Sequence, residues 1–295
     1  MSSDISSNTI ADANRRANAP RRVTVIRAPS LSLSGLTGGL VKLAQYGDLL
    51  YTLSVHRIKV RYKQSLLGVS WAILQPLSLM LIYTVIFSFI ARVETDGVPY
   101  AVFSYVALLP WTYFSTSLTN ATNGLVSHHE LVTKVYFPRE ILPLSYVIAA
   151  LFDFAIASTV LAGLMIYYRI GLTLNALYAV PIILVLTMFV TAVALFLSAT
   201  QVRFRDIGVA MPLLLQLWMF ASPVVYPLSA VPTRLRGLYL LNPMVGVIEN
   251  FRRAILQGSP PDFRTLGVSA LIAILLLPAA YIYFKRVEAT VADII

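Results

Sequence analysis

The sequence predicts an all-α integral membrane protein with about six transmembrane helices. Hydrophobic residues make up 58% of the 295-residue chain and charged residues only 12%, whereas about 25% of the residues in a typical soluble domain are charged. The apolar residues form long uncharged runs, and a helix needs about 20 such residues to cross a bilayer. Helices are expected because a segment of this kind must satisfy its backbone hydrogen bonds internally. We therefore expect one six-span membrane domain over residues 65–286.

Six nearly uncharged runs mark the predicted spans: 64–91, 97–127, 141–168, 170–202, 207–233 and 265–284. Only the third contains a charged residue, Asp153. An isolated buried acid is energetically costly. Asp153 is therefore a candidate either for a proton-relay residue or for a protonated or hydrogen-bonded structural residue.

Lysine and arginine are distributed unequally over the two sides of the predicted membrane. Sixteen lie before the first span or in connections on that side, and seven lie on the other side. The positive-inside rule places the richer side in the cytoplasm. Both termini are then cytoplasmic, with a disordered tail over 1–35 and a short C-terminal segment over 287–295. The polar tail has no apolar core of the kind found in signal peptides, and it is interpreted as solvated disorder or as an arm that contacts lipid or a partner.

Residues 36–64 are predicted to form an amphipathic helix in the membrane interface. Leu43, Tyr46, Leu50 and Leu53 recur at helical spacing, and a basic stretch follows them. An apolar stripe with basic side chains beside it is typical of a helix that lies among lipid headgroups. Membrane lipids are therefore expected contacts of this segment.

The connection between the fifth and sixth predicted spans contains one further apolar segment, Gly237–Ile248. This segment is uncharged but is only twelve residues long, which is too short to cross a bilayer. The Asn242-Pro243 pair interrupts it, because a residue before proline avoids the helical region. We therefore prefer a re-entrant pair of short helices to a surface loop.

Several classes of chemistry are absent from the sequence. Cysteine does not occur, which excludes disulfides and thiolate metal sites. No phosphate-binding loop, dinucleotide fingerprint or HExxH zinc motif is present. His128 and His129 are adjacent, and side chains about 100° apart on a helix are poorly placed to share a metal. We expect no catalytic residue, metal or cofactor in this chain, and no nucleic-acid partner, because the positive charge flanks apolar spans.

Aromatic side chains are frequent within the predicted spans and at their ends. Trp and Tyr at a headgroup boundary usually anchor a helix. Aromatic faces also stack on the C–H faces of sugar rings and would suit the lining of a polysaccharide pore. Composition alone is compatible with both uses.

An ordered set of short motifs resembles the membrane permeases of type 2 ABC exporters that move lipid-linked polysaccharide, which include O-antigen, capsule and teichoic acid exporters. The similarity covers about residues 45–285. The motifs are Ile58-Lys59-Val60-Arg61-Tyr62, Ser65-Leu66-Leu67-Gly68 with Trp71 and Pro76, Leu109-Pro110-Trp111 with Phe114, Lys134-Val135-Tyr136-Phe137-Pro138-Arg139-Glu140, Arg205-Asp206, Ser222-Pro223-Val224-Val225-Tyr226-Pro227, and Asn242-Pro243. This chain has His56-Arg57 where the family often has Arg-Asp.

The resemblance implies a homodimer paired with two copies of a separate nucleotide-binding ATPase, which would bind the ATP and Mg²⁺. It also implies roles for three groups of residues. The residues expected to couple to the ATPase are Arg57, Lys59, Arg61, Tyr62, Lys134, Tyr136, Pro138, Arg139 and Glu140. The residues expected to line the pore or contact substrate are Trp71, Tyr83, Phe87, Trp111, Trp218 and Phe220. The residues expected to form a gate are Tyr226, Asn242 and Pro243.

The function that the resemblance implies is export of a lipid-linked polysaccharide of the O-antigen or capsule type across the bacterial inner membrane. Alternatives within the same architecture are a teichoic acid, another lipid or a drug. An ion-coupled carrier would require several intramembrane charges or broken helices in matching halves. A membrane-embedded transferase would require clustered acids or a His-Asp pair near a membrane face. The sequence shows neither pattern clearly.

Overall fold

The computed structural model describes residues 43–63, 65–93, 95 and 97–294. Within that part of the chain the regular structure is helical and contains no β-strand. The predicted tail over 1–35 and the first residues of the predicted interface helix, 36–42, lie outside the described residues. The all-α class expected from the sequence is therefore confirmed for the described residues.

Ten α-helices follow one another along the described chain. They are α1 Gly47–Lys63, α2 Trp71–Tyr83, α3 Tyr100–Asn123, α4 His129–Lys134, α5 Ile141–Tyr167, α6 Ala179–Arg203, α7 Asp206–Phe220, α8 Thr233–Tyr239, α9 Pro243–Ile255 and α10 Phe263–Ile294. A wider helical turn, Thr84–Ile90, continues α2. Short 3₁₀ turns precede α2, α4 and α6 at Gly68–Ser70, Val126–His128 and Leu174–Tyr178, and another lies at Leu228–Ala230.

Within the residues that the structure describes, four helical segments are long and apolar enough to cross a membrane. They are Gly68–Ile90, Ile141–Tyr167, Leu174–Arg203 and Phe263–Glu288. The second and fifth predicted spans correspond to α3 and α7. Helix α3 has 24 residues, about 36 Å at 1.5 Å per residue. Helix α7 has only 15, about 22 Å, which is less than the roughly 30 Å hydrocarbon layer.

Helix α3 occupies the centre of the bundle, between α5 and α6. Its polar residues Ser104, Ser117 and Thr122 are buried against neighbouring helices. A central helix need not present an apolar surface to lipid, which explains why α3 is less apolar than the outer helices. Helices α6 and α10 pack together along much of their length, and small side chains such as Ala199 and Ala280 in this region allow close approach.

The fifth predicted span, 207–233, is not one continuous helix. Helix α7 ends at Phe220, and prolines at 223, 227 and 232 follow. Each proline lacks a backbone N–H and cannot continue a helical ladder. The chain then forms α8 and α9, separated at Asn242-Pro243 as the sequence predicts. The Asn242 side chain accepts a hydrogen bond from the backbone N–H of Met244 at 3.1 Å, and Pro243 occupies the first helical position, where its missing N–H is not needed.

The first and last helices of the described chain extend over the segments beside the first and last predicted spans. The basic-apolar alternation over 57–63 belongs to helix α1, which begins at Gly47. Helix α10 continues to Ile294, beyond the predicted end of the sixth span at Phe284. The segment 287–294 is therefore a continuation of the last helix.

The helices meet in two groups of contacts at opposite ends of the bundle. At one end, here called the near end, Arg57 of α1 contacts His128, and Lys285 of α10 contacts Glu140. At the other end, here called the far end, the Asn175 side chain donates to the Gly258 carbonyl at 2.7 Å. The near end carries the 124–140 connection, and the far end carries the 221–262 segment.

Gly246 offers a test of how tightly α9 packs against α10. A Cβ atom at Gly246 would lie 2.7 Å from the Thr265 carbonyl oxygen and closer still to the Ser269 hydroxyl oxygen. Because a backbone atom cannot move aside cheaply, we expect Gly246→Ala to lower the free energy of unfolding by about 1–3 kcal/mol. Thermal loss of helical circular dichroism in detergent measures this change.

Gly267→Ala is the matched control on the partner helix. A Cβ atom at Gly267 meets nothing within 4 Å. This substitution should leave stability unchanged or raise it by up to about 1 kcal/mol, because alanine favours a helix over glycine. Equal melting temperatures for both variants would contradict the packing described here.

Candidate coupling surface, aromatic cluster and gate

The 129–140 segment presents one exposed strip at the near end of the bundle. Lys134 projects outward with 71% of its side chain exposed, and Tyr136 is 67% exposed. Phe137 turns inward and is buried in a cluster with residues of α5, α6 and α10. The segment after the short helix α4 is therefore anchored by Phe137, while the side chains of Lys134 and Tyr136 remain accessible.

Glu140, which follows this strip, points into the bundle and is only 1% exposed. Its carboxylate accepts a hydrogen bond from Lys285 Nζ at 2.6 Å and from the Tyr281 hydroxyl at 3.4 Å. Lys285 also bonds the Glu288 carboxylate at 2.8 Å. A buried carboxylate needs such partners because an unpaired charge is costly in an apolar interior. Glu140 thus ties the 129–140 segment to α10.

Arg139 adds a second tie to the same helix. Its backbone N–H donates to the Glu288 carboxylate at 3.1 Å, and its guanidinium donates to the Glu288 carbonyl at 2.8 Å. Pro138 is partly buried beside it. Of the predicted coupling residues in this segment, Lys134 and Tyr136 therefore face outward, while Arg139 and Glu140 form internal contacts.

Helix α1 lies along α5. Its predicted coupling residues, like those of the 129–140 segment, include both exposed side chains and side chains with internal contacts. Lys59 is exposed. The Arg57 guanidinium lies 4.4 Å above the Tyr146 ring and donates to His128 Nε2 at 2.7 Å. One turn later, Arg61 forms an ion pair with Asp153, and the Tyr62 hydroxyl donates to the other carboxylate oxygen.

Asp153 is therefore a paired residue within the bundle. Its two oxygen atoms each accept a hydrogen bond from α1. Burial, and next the hydrogen bond to Asp153, raises the pKa of Tyr62 to about 12, so the phenol stays protonated and donates at neutral pH. The geometry favours the structural interpretation of Asp153 over a proton relay.

The six aromatic residues predicted for the pore differ in their exposure. Trp71 and Phe220 are about half exposed, at 52% and 48%. Tyr83 and Phe87 are half-buried and meet edge to face at 6.1 Å. Trp111 is buried against Phe114.

Trp218 is partly buried and packs in the same aromatic cluster as Trp111. Its indole meets the Phe114 ring edge to face at 4.9 Å and the Phe189 ring at 6.1 Å. The structure therefore brings Trp111 and Trp218 into one internal aromatic cluster, and leaves Trp71 and Phe220 on the surface of the single chain.

Asn242 is the polar centre of the predicted gate. Its side-chain oxygen accepts from the Trp218 indole N–H at 3.0 Å, and its amide nitrogen donates to the Ala221 carbonyl at 3.1 Å and to the Ser222 hydroxyl at 2.9 Å. One side chain thus joins the end of α7 to the start of α9. Pro243 is buried, and its carbonyl accepts from Ser269 of α10 at 3.0 Å.

Tyr226 closes the turn between α7 and α8. Its hydroxyl donates to the Phe220 carbonyl at 2.7 Å and lies 3.0 Å from the Tyr239 hydroxyl. Tyr226 and Asn242, two of the residues predicted to form a gate, therefore each contact the end of α7.

Several residues that hold this site together were not identified from the sequence. Arg252 is 2% exposed, donates to the Pro223 carbonyl at 3.0 Å and covers the Phe103 ring at 3.8 Å. Its charge was not a distinguishing signal, because Glu249 and Arg253 also lie in α9. Lys285 and Glu288 carried no signal for their contacts either, because their respective partners Glu140 and Arg139 lie far away in the sequence. Among the side chains that the structure describes, no group of three metal-ligating residues is assembled.

The contact between Arg57 and His128 makes the near end sensitive to pH. His128 Nδ1 donates to the Gly124 carbonyl at 3.0 Å, which leaves Nε2 to accept from Arg57. Burial lowers the pKa of His128, and the adjacent Arg57 guanidinium lowers that pKa further. The contact is therefore fully present above the ordinary histidine pKa of about 6.5 and is lost as the pH falls through the lowered pKa.

We expect the melting temperature to fall between pH 7.5 and pH 5 more steeply in the wild type than in His128→Gln, whose amide oxygen accepts from Arg57 at any pH. His129→Gln is the control, because the adjacent His129 is exposed. A pH dependence that vanishes in the His129 variant and persists in the His128 variant would contradict this assignment.

Comparisons with known proteins agree with this architecture. The family model described as ABC-2 type transporter matches residues 48–256. The chain is 34% identical over 246 residues to the O-antigen export system permease protein RfbA of Myxococcus xanthus, and the alignment covers 83% of this chain and 94% of that protein. A protein of the same name from Klebsiella pneumoniae is 31% identical over 161 residues, which is 54% of this chain and 61% of that protein. The family match extends over more than half of the chain, and the chain therefore belongs to the ABC-2 type transporter family as a multi-pass protein of the bacterial inner membrane.

Proposed function

We propose that this chain is the permease subunit of an ABC exporter that carries lipid-linked polysaccharide of the O-antigen type from the cytoplasm across the inner membrane. The observation that carries the proposal is the alignment over nearly the whole length of an O-antigen export permease. The exposed strip at the near end supports it, because a permease driven by a separate ATPase needs a surface that the ATPase can push. ATP and Mg²⁺ bind to that separate chain, and the permease performs no covalent chemistry.

The proposed subunit crosses the membrane six times, with the near end in the cytoplasm. Among the described residues, four helical segments are by themselves long and apolar enough to cross the membrane. Helix α3 is long enough and is shielded from lipid by its neighbours, and α7 completes a crossing with the chain that follows Phe220. The excess of lysine and arginine on the near-end side supports this orientation.

The substrate path lies between two copies of the subunit in this proposal. Gln75 and Ser78 of α2 and Gln216 of α7 are exposed on helices that are otherwise apolar. Polar side chains are unfavourable against lipid tails, and they usually face the bundle interior or water inside a membrane protein. Trp71 and Phe220 are exposed on the same two helices and would supply aromatic faces along which sugar rings slide.

Helices α8 and α9 form the proposed re-entrant gate at the far end. They have 7 and 13 residues, too few to cross a bilayer. Asn242 joins them to Trp218 of α7. A movement of α7 would therefore be transmitted to the start of α9 through a single side chain.

The predicted coupling residues are proposed to have two roles. Some contact the ATPase, and the others transmit its movement into the helix bundle. Lys59, Lys134 and Tyr136 are exposed and would contact the ATPase. Arg57, Arg61, Tyr62, Arg139 and Glu140 bond α5, His128 or α10 and would pass the resulting movement into the bundle. A rigid-body shift is transmitted efficiently only by elements that are tied to their neighbours.

Reversing the charge of the exposed strip tests this division. We expect Lys134→Glu combined with Tyr136→Ala to reduce polysaccharide export at least about tenfold, equivalent to about 1.4 kcal/mol of lost coupling, while the melting temperature of the chain stays within 2 °C or so of the wild type. Export is measured as surface polysaccharide, and ATP hydrolysis on the purified complex.

Arg264→Glu is the matched control, because Arg264 is an exposed cation in the first turn of α10, away from the near end. It should export normally. Normal export by the Lys134/Tyr136 variant would exclude a coupling role for the strip.

The function itself is tested by deletion and by co-purification. Loss of the chain should abolish surface O-antigen and trap the lipid-linked polymer in the cytoplasm. The tagged chain should retain, at equal stoichiometry, a second protein that hydrolyses ATP. Unchanged surface polysaccharide in the deletion strain would overturn the proposal.

A further inference from the structure

A cavity with a polar wall lies inside the single subunit, beside the proposed path between subunits. It has a volume of about 260 Å³ and lies between α2, α3, α5 and the C-terminal end of α1. Its α5 wall runs from Ala150 to Ala157, so this wall stands about 14 to 24 Å from the start of α5 at 1.5 Å per residue. The cavity therefore lies near the middle of α5.

One wall of the cavity is a stripe of hydrogen-bonding side chains on α3. Thr112, Thr116 and Asn120 recur at every fourth position and share one face of the helix. The Thr112 hydroxyl oxygen is buried and has no hydrogen-bond partner among the described residues. Asn120 also lines the cavity, and its amide nitrogen donates to the Thr116 carbonyl at 2.8 Å. A buried hydroxyl without a partner is unfavourable unless water or a ligand supplies one.

The opposite walls supply an aromatic plane and a second amide. Trp71 stands half exposed on α2, and Gln75 lies one turn further along the same helix. The Arg61–Asp153 ion pair completes the lining. Hydroxyl, amide and paired ionic groups around an aromatic face are the set of groups that recognises a polyhydroxylated ring.

The charge of the cavity decides between a neutral and an anionic ligand. Arg61 is the cation in its lining, and Asp153 neutralises it at contact distance. A phosphate or pyrophosphate group would face the Asp153 carboxylate with no unpaired cation in the lining to offset the repulsion. The volume is also slightly below the roughly 300 Å³ at which pockets for drug-sized ligands begin, which suits a single sugar ring.

We propose that this cavity is a side pocket that binds one neutral sugar unit of the exported polymer. The inference rests on the proposed function, and it assigns sugar recognition to Thr112, Thr116, Asn120, Gln75 and the Arg61–Asp153 pair. Because Arg61 belongs to α1, a sugar in the pocket contacts the same helix that presents Lys59 to the ATPase. Any phosphate or pyrophosphate group of the substrate binds elsewhere.

The absence of cysteine from the chain allows a direct test. Thr116→Cys places a near-isosteric thiol in the pocket of an otherwise cysteine-free protein. The variant is assembled with its ATPase in inverted membrane vesicles, and its rate of reaction with a small charged methanethiosulfonate reagent is measured. The two probes are neutral oligosaccharide fragments cut from the cell's own surface polysaccharide and inorganic pyrophosphate.

We expect the oligosaccharide to slow labelling of Thr116→Cys about fivefold at four times its dissociation constant, because only the empty pocket reacts. Pyrophosphate should leave the rate unchanged. Ser117→Cys is the control on the next residue, which is fully buried against the core and should not react. Asn120→Cys is the second variant in the pocket.

Three results would overturn the proposal. They are protection by pyrophosphate without protection by sugar, absence of any protection, and failure of both pocket cysteines to react. The deletion strain separates this outcome from the proposed function. If deletion abolishes surface polysaccharide while the pocket gives one of these results, only the pocket assignment fails; if deletion leaves surface polysaccharide intact, the proposed function fails as well.

Discussion

The strongly buried charges of this bundle are each held by a group from another part of the chain. Glu140 is paired with Lys285, and Arg252 donates to the carbonyl of Pro223. In an apolar interior an unpaired charge would cost several kcal/mol. These pairs therefore determine which helices must be neighbours, and they do so more specifically than interchangeable apolar contacts.

The pairs also explain how the two ends of the molecule are organised. At the near end they join α1, the 129–140 segment and the last turns of α10 into one polar assembly. At the far end Asn242 joins α7 to α9, and Arg252 fastens α9 to the segment that precedes α8. Between the ends most contacts are apolar, and a few hydrogen bonds such as that from the Tyr105 hydroxyl to the Ala157 carbonyl at 2.9 Å cross between helices.

The exposed residues at the near end are held in position by the buried residues beside them. Lys134 ends a short helix and Tyr136 follows it, in a segment that Phe137 and Glu140 anchor to the bundle. Lys59 lies on a helix that Arg57 and Arg61 fasten to His128 and Asp153. In the proposed coupling role, a force on either exposed group would pass directly to α5 or α10. The chain belongs to the ABC-2 type transporter family. This arrangement is therefore interpreted as part of a transporter subunit.

The sequence by itself determined that the chain lies in a lipid bilayer, that it is helical, and which family it belongs to. Long uncharged runs require a bilayer, and a bilayer requires helices here, so composition was sufficient for both. It also placed the break at Asn242-Pro243, because the rule for a residue before proline is local. The helical content and this break are confirmed, and the six-span count stays a proposal.

Only the tertiary structure decided which residues face one another. Trp111 and Trp71 are the same residue type in similar apolar surroundings, yet one is buried and the other half exposed. Glu140 looked like an accessible loop acid until Lys285, 145 positions away, was brought to it. Asp153 looked isolated until α1 supplied Arg61 and Tyr62. Side-chain partners across such distances depend on how the helices pack, and a single sequence records the periodicity of each helix but not its rotation against its neighbours.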